Sequence, residues 1–319
     1  MSERRQTAAA LGRAAVDTGF FYLANHGIGE AEFRLAHDWG KIFFELPPEV
    51  KARYDKRLSP ARQGWMPIGG TNPEANPDKA ADLKETFVLA REPLPLEPPQ
   101  ASFSAGESQW PDEQLMPGFK SFIQAHIRKR IAVAQGLARA FALSLDLDED
   151  YFDAAHRFLN CSLTYNYYPP IDRQTALRTQ WSISPHTDYG SFTLLSQDEL
   201  GGLEVRGADG GWIDVPPREG CLVVNIADLF QRWTNGRYKS SLHRAANFAA
   251  GARISLPFFV IPAVDVMVEC VPTCVGPGNP ARYEPVRAAT YVRTLLEQSY
   301  RTGRPGVAQQ TVEERLKPL

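Results

Sequence analysis

The chain has 319 residues, enough for one large domain, and its charges nearly balance, with 35 lysine and arginine against 37 aspartate and glutamate residues. This balance excludes the overall basic field expected of a nucleic-acid or membrane partner. No apolar run reaches the roughly 18 residues that a membrane span needs, and the start lacks a signal-peptide core. We therefore expect a cytoplasmic protein with a small-molecule partner.

The four cysteines form no CxxC pair, and without a secretory signal we interpret them as reduced structural residues. They are Cys161, Cys221, Cys270 and Cys274.

Residues 1–156 are predicted to be mainly helical. An Ala-rich stretch at 7–18 and a second stretch at 29–46 predict helices on either side of a short strand at 19–23. Two prolines then start a short helix within 47–54.

Residues 58–109 are rich in Gly, Pro and Asn, which predicts a long surface loop of the kind that often forms a pocket wall. Apolar residues at spacings of three and four then predict one long amphipathic helix over 111–145.

Residues 157–282 contain short β-rich runs separated by Gly-rich turns, a pattern typical of an antiparallel sandwich or small barrel. A helix at 229–234 interrupts the runs, and residues 283–319 are predicted to be a C-terminal helical segment with a helix at 288–300. We expect a single domain. The predicted strands are 163–168, 191–196, 203–205, 221–226 and 254–261.

Two histidines and one aspartate form a candidate metal site. His186 and Asp188 share a face if their segment is extended, and His243 can return on a neighbouring strand. Two imidazoles and one carboxylate are the ligand set of non-haem Fe(II) oxygenases, because they leave one face of the metal open. The other four histidines are interpreted as structural or surface residues: His26, His37, His126 and His156.

A candidate anion clamp follows His243. Arg253 and Ser255 alternate onto one face of a predicted strand, where they can grip a carboxylate by charge-assisted hydrogen bonds. Asn166 and Tyr168 likewise share a face of their strand and can hydrogen-bond a carboxylate or keto oxygen.

Several aromatic and aliphatic side chains are candidate walls of a substrate pocket. Phe259 and Ile261 have the stronger claim, because they share the face of Arg253 and Ser255. The other candidates are Trp65, Phe87, Tyr165, Phe192, Leu194, Phe230 and Trp233.

Seven motifs run in order over most of the chain, and HTD, TNGRYKSSLHR and RIS are highly specific as a set. The motifs are GFFYLANHGI (19–28), DLKETF (82–87), QWP (109–111), YNYYPP (165–170), HTDYGSFTLLSQDELGGLEV (186–205), VNIADLFQRWTNGRYKSSLHRA (224–245) and RISLPFF (253–259). Together they resemble the isopenicillin N synthase-like family of Fe(II)/2-oxoglutarate-dependent oxygenases.

The resemblance implies an α+β fold with a mainly β core, a double-stranded β-helix (jelly roll) flanked by helices. It implies Fe(II) held by His186, Asp188 and His243, with 2-oxoglutarate and O₂ as co-substrates. It further implies that the distal carboxylate of 2-oxoglutarate meets Arg253 and Ser255, helped by the positions of Asn166 and Tyr168. The expected reaction is hydroxylation, desaturation or cyclisation of a small molecule, with release of succinate and CO₂.

Three alternatives stay open. An oxidase of the same fold could use the RIS pair for its own substrate, and a non-enzymatic protein could keep the fold for ligand binding. A zinc hydrolase could use the same three ligands with Glu204 or Asp228 as general base.

The sequence departs from the family at its start. Family members usually have an extended segment ahead of the first helix, whereas this chain starts almost inside that helix, with MSERRQTAAALG. An uncovered sheet edge is prone to pair with another chain, so the oligomeric state stays open.

Overall fold

The computed structural model describes residues 3–70, 81–91, 108–157, 160–172, 174 and 181–299. Within these residues the helices are α1 Glu3–Asp17, α2 Glu30–Phe44, α3 Pro48–Lys51, α4 Phe119–Ser144, α5 Asp228–Trp233 and α6 Ala288–Ser299. Short 3₁₀ helices lie at Ala52–Tyr54, Lys56–Leu58 and Pro272–Cys274.

Thirteen strands are described in the same residues. They are β1 Phe20–Leu23, β2 Gly64–Met66, β3 Glu85–Ala90, β4 Ser162–Tyr168, β5 Ile183–His186, β6 Phe192–Gln197, β7 Leu203–Arg206, β8 Trp212–Asp214, β9 Leu222–Ile226, β10 His243–Ala245, β11 Arg253–Val260, β12 Met267–Val268 and β13 Val286–Arg287.

Local sequence explains where the helices begin. Glu30 and Glu32 place negative charge in the first turn of α2, where it offsets the positive end of the helix dipole. Pro48 occupies the first turn of α3, where a missing N–H costs nothing. The long helix α4 begins at Phe119 and not at residue 111 as predicted, because Gly118 before it adopts a left-handed conformation, with φ of 80°.

The strands form two facing antiparallel sheets. The major sheet has the order β1-β9-β6-β11-β4-β3-β2, and the minor sheet has the order β5-β10-β7-β8. A separate pair joins β12 to β13. This is the predicted double-stranded β-helix, in which the space between the sheets is available for a site.

Apolar residues fill the fold in two layers. The larger core lies between the outer face of the major sheet and the helices, where Phe43 of α2 stacks on Phe87 of β3 with ring centroids 4.0 Å apart. A smaller cluster joins the two sheets on the inside, through Phe20, Leu195, Leu203, Val205, Val215 and Val223.

The prediction of a continuous loop over 58–109 was wrong. Strands β2 and β3 lie within it, and β3 pairs with β4 along its whole length, with Phe87 opposite Tyr165. Composition did not predict these short strands, because β3 pairs with β4 far along the chain and β2 pairs only with β3 among the described strands. Residues 71–80 and 92–107 of the predicted loop lie outside the described residues.

In the described part of the chain, no helix combines the length and apolar character that crossing a membrane requires.

Candidate active site

A cavity of 460 Å³ lies between the two sheets and is partly covered by α6. This volume falls within the range of about 300–1,000 Å³ that is usual for small-molecule sites. Side chains from β3, β4, β9 and β11 of the major sheet and from β5 and β10 of the minor sheet line it.

His186, Asp188 and His243 meet at one end of the cavity. The antiparallel pairing of β10 with β5 sets His243 directly opposite His186, and their ring centroids are 4.2 Å apart. Asp188 Oδ1 lies 4.0 Å from His186 Nε2 and 3.8 Å from His243 Nε2. One potential ligand atom from each of the three residues lies within 4.8 Å of the other two, so they can hold one ion.

The two ligands do not both lie within one paired strand, because β5 ends at His186 and Asp188 follows it. Asp188 lies in the short segment that follows, where its carbonyl accepts the N–H of Asp228 at 2.8 Å. Gly190 lies in the same segment, and a Cβ there would lie 2.4 Å from the Val260 carbonyl oxygen. These contacts with Asp228 and Val260 hold the segment that carries Asp188 in place beside the histidines.

Hydrogen bonds outside the triad aim its three ligand atoms. Nδ1–H of His186 donates to Ser184 O at 2.8 Å, and Nδ1–H of His243 donates to Ser241 O at 3.1 Å, which leaves each Nε2 as the lone-pair nitrogen. Asp188 Oδ2 accepts from Asn225 Nδ2 at 2.7 Å and from the Thr193 hydroxyl, while Oδ1 faces the histidines. Such partners orient metal ligands and fix their tautomers.

Electrostatics keep His186 and Asp188 in their metal-binding forms. Burial, followed by the proximity of His243, lowers the pKa of His186 to about 3, so its imidazole is neutral near pH 7. Burial alone would raise the pKa of Asp188, but the two imidazoles and the hydrogen bonds from Asn225 and Thr193 outweigh it and lower the pKa. A neutral imidazole and an ionised carboxylate are the forms that bind a metal.

Arg253 is a buried cation on the same cavity wall, only 1% exposed. One Nη donates to Gln197 Oε1 at 2.9 Å, and the guanidinium lies over the Tyr168 ring at 4.9 Å. Its Nε and its other Nη have no hydrogen-bond partner among the described residues. Buried N–H groups of a guanidinium are costly without an acceptor, so the geometry favours an anion beside them.

The other three predicted clamp residues adjoin Arg253. In the register of β11 with β4, Arg253 lies opposite Tyr168 and Ser255 lies opposite Asn166. The Ser255 and Tyr168 hydroxyls are 3.4 Å apart, and all four side chains line the cavity. The predicted faces of both strands therefore meet in one patch.

The sequence of this chain matches two described protein families. Residues 159–262 match the 2OG-Fe(II) oxygenase superfamily, and residues 1–113 match the family described as non-haem dioxygenase in morphine synthesis N-terminal. The 2-oxoglutarate-Fe(II) type oxidoreductase ppzC of Metarhizium majus is 34% identical over 93% of this chain and 83% of its own. The chain belongs to the 2OG-Fe(II) oxygenase superfamily.

Solved structures of superfamily members resemble the fold over nearly its whole length. The full-length Neurospora crassa T7H in complex with alpha-KG (2-oxoglutarate) has a TM-score of 0.81 and 30% identity, covering 92% of this chain and 91% of that chain. T7H in complex with alpha-KG and thymine also has a TM-score of 0.81, at 29% identity with the same coverage.

The superfamily resolves the open alternatives. The chain is a 2-oxoglutarate- and Fe(II)-dependent dioxygenase that uses O₂, which removes the oxidase without 2-oxoglutarate and the non-enzymatic protein. The hydrolase also fails on geometry, because neither proposed base lines the cavity. Glu204 accepts from Arg244 at 2.7 Å, and Asp228 accepts from Ser240 Oγ at 2.6 Å.

Only part of the predicted substrate pocket lies at the cavity of this oxygenase. Phe259 and Ile261 line it as strand alternation predicts, and Phe192 borders it. The predictions for the other aromatic residues and Leu194 were wrong, because these side chains pack in the core or among neighbouring elements. Those residues are Trp65, Phe87, Tyr165, Leu194, Phe230 and Trp233.

The structure also places the remaining histidines and three of the four cysteines away from the cavity. His37, His126 and His156 are buried and hydrogen-bonded, and His26 Nδ1 accepts the Ile28 N–H in a turn. Cys161 is an exception among the cysteines, since it lines the cavity while all four remain thiols.

Sequence reasoning missed three residues at this site. Thr193 and Asn225 lie opposite each other on β6 and β9 and both hold Asp188. Lys84 lines the cavity ahead of β3. Each lies inside a quoted motif, and alternation from a neighbouring core residue would have turned each one toward the cavity.

Proposed function

We propose that His186, Asp188 and His243 hold Fe(II) in this oxygenase and that Arg253 and Ser255 bind the distal carboxylate of 2-oxoglutarate. Asn166 and Tyr168 complete the co-substrate site. The observation that carries the proposal is the convergence of two Nε2 atoms and one Oδ1 beside a buried guanidinium with unsatisfied N–H groups. Two imidazoles and a carboxylate are the ligand chemistry of Fe(II), and a guanidinium is the chemistry of a carboxylate.

When bound, iron with 2-oxoglutarate supplies the O₂ activation that couples formation of succinate and CO₂ to oxidation of the substrate. The residues of the chain position the bound groups and surround them. Asn225 and Thr193 fix the carboxylate, the Ser184 and Ser241 carbonyls fix the imidazoles, and the two sheets surround the centre.

The substrate proposed is a small molecule, and no nucleic-acid or membrane partner is invoked. The cavity size and the net charge of −2 support this assignment. We propose one oxygenase domain over residues 1–319, since helices and both sheets contribute to the same cavity. Hydroxylation, desaturation and cyclisation are the outcomes that the site can support, and the cytoplasmic location stays a prediction.

The test measures succinate formed from 2-oxoglutarate, with O₂ uptake, in full-length protein supplied with Fe(II). Slow uncoupled turnover suffices if no substrate is known. His186→Ala and Asp188→Ala should lose succinate formation, because each removes a ligand while the fold persists. The matched control is His26→Ala, which removes an imidazole that does not line the cavity and should keep the wild-type rate.

Full succinate formation in both ligand variants would show that the proposed site is wrong. Circular dichroism and thermal unfolding should show that each variant is folded. Added 2-oxoglutarate should bind the wild type and fail to bind Arg253→Leu, which separates the clamp from the metal site.

A further inference from the structure

Lys84 is a buried cation on the cavity wall that neither the triad nor the clamp uses. It precedes β3, and only 8% of the residue is exposed. Because Glu85 pairs with Tyr167, the next pair in the register sets Lys84 beside Tyr168. Alternation then turns Lys84 and Thr86 to the cavity, and both line it.

The ammonium of Lys84 is oriented but not saturated by protein groups. Among the described residues its ion-pair partner is Asp82, whose Oδ2 lies 4.0 Å from Nζ, beyond hydrogen-bond distance. Asp82 Oδ1 accepts the backbone N–H of Ser184 at 2.9 Å, which fixes the carboxylate against β5. An ammonium has three donors, so the Lys84 ammonium can donate to a further acceptor in the cavity that it lines.

The co-substrate is a poor candidate for that acceptor, on the assumption that the proposed function holds. Arg253 and Ser255 already serve its distal carboxylate, on the opposite side of Tyr168 from Lys84. The negative charges of 2-oxoglutarate and ionised Asp188 equal the positive charges of Fe(II) and Arg253. These four groups together are therefore neutral. None of these four groups compensates the positive charge of Lys84.

The rest of the cavity wall, like Lys84, carries mainly positive charge. Away from the triad and the clamp, the charged side chains among the described lining residues are four cations and one carboxylate. They are Lys56, Arg62, Lys84, Arg293 and Glu297. Apolar side chains, including Met66, Val88, Phe259 and Leu296, complete the walls.

We propose that Lys84 binds the carboxylate of the primary substrate, which is a small organic acid with an apolar body. This assignment rests on the proposed function and adds the substrate class to it. The carboxylate would accept from Nζ while the apolar walls hold the rest of the molecule close to the triad. Lys84 is in this sense a specificity-determining residue.

The experiment compares acids with their uncharged isosteres. Phenylacetate, benzoate and hexanoate, each paired with its primary amide, are titrated by calorimetry into full-length protein loaded with Fe(II) and 2-oxoglutarate without O₂. At least one acid should bind about tenfold or more tightly than its amide, because a charge-assisted hydrogen bond is lost in the amide. Lys84→Met should abolish this preference, and Lys84→Arg should keep it.

Controls separate a local effect from misfolding. Lys84→Gln keeps a polar side chain of similar length and should also lose the preference, so the result does not depend on one variant. Lys41→Met removes an ammonium at the surface, where its side chain is 54% exposed, and should bind like the wild type. Thermal unfolding of each variant checks the fold.

Two results would overturn the proposal. One is that no acid binds more tightly than its amide in the wild type, or that the preference survives in Lys84→Met and Lys84→Gln. The other is that Lys84→Met weakens 2-oxoglutarate itself by tenfold or more while the acid preference is unchanged, which would assign Lys84 to the co-substrate. If wild-type protein does not bind 2-oxoglutarate, the proposed function fails instead, and a Lys84-dependent acid preference in the iron-loaded protein would still support the anion site.

Discussion

At the scale of residues, the two partners of Asp188 Oδ2 determine how well the site holds its metal. Thr193→Val removes one hydroxyl without changing the side-chain shape, and we expect the Fe(II) dissociation constant to rise by about 10- to 100-fold. An anaerobic Fe(II) titration in competition with a chelator measures this constant.

Thr86→Val is the matched control for that substitution. Thr86 also lines the cavity from a strand, but its hydroxyl has no hydrogen-bond partner among the described residues. Its Fe(II) affinity should stay at the wild-type value. Equal affinities in the wild type and Thr193→Val would mean that Asn225 alone fixes Asp188.

At the scale of elements, His156 ties the segment after α4 to the segment that leads into β6. Its Nδ1–H donates to Phe152 O at 2.9 Å, and its Nε2 accepts from Ser191 Oγ at 2.9 Å. Burial lowers the pKa of His156 to about 4. The buried site therefore favours the neutral imidazole over the protonated one.

Stability should therefore fall in acid. The unfolded chain binds a proton at His156 near its ordinary pKa of 6.5, while the folded chain binds it only near 4, so stability is complete above 6.5 and is lost as the pH falls toward 4. Between pH 7.5 and pH 5 the loss from this residue is about 2 kcal/mol. His156→Gln should reduce the pH dependence of the free energy of unfolding by that amount in urea titrations.

His26→Gln is the surface comparison for this measurement, since His26 lies in a partly exposed turn. We expect it to keep most of the wild-type pH dependence. An unchanged slope in His156→Gln would show that the imidazole is protonated in the folded protein at pH 5.

The same elements show what the sequence could predict. Long apolar periodicity identified α4, and β-rich runs identified β4, β6, β9 and β11, because these elements bury a whole face against a neighbour. Strands β2, β3 and β5 escaped prediction, because short strands depend on distant pairing more than on their own composition.

The pocket candidates failed for a related reason. Tyr165 and Asn166 are adjacent on β4, so they point to opposite faces, and assigning Asn166 to the site already places Tyr165 in the core. Aromatic chemistry is the same on either face. Once the direction of one side chain in a strand is known, alternation shows which of its neighbours face the cavity, whereas composition does not. The same reasoning identifies Thr193 and Lys84 as cavity residues.

At the scale of the whole molecule, the proposed ligands would join the two sheets. His186 and His243 belong to the minor sheet, whereas Arg253 and Ser255 belong to the major sheet. A ligand that binds the folded chain alone stabilises it by about 2.7 kcal/mol at a hundred times its dissociation constant.

We therefore expect Fe(II) and 2-oxoglutarate together to raise the melting temperature, measured by anaerobic calorimetry. Asp188→Ala should lose most of the increase caused by the metal, and Arg253→Leu should lose the part caused by 2-oxoglutarate. An increase that is identical in the wild type and both variants would indicate that the ligands bind elsewhere.

The pairing of His186 with His243 also determines when, during folding, the metal site is complete. The two residues are far apart in sequence and become neighbours only when β10 docks on β5. Closing so long a loop is slow and must precede any contact between them. A metal ion held by all three ligands can therefore bind only after β10 has docked on β5, so full coordination follows this step of folding.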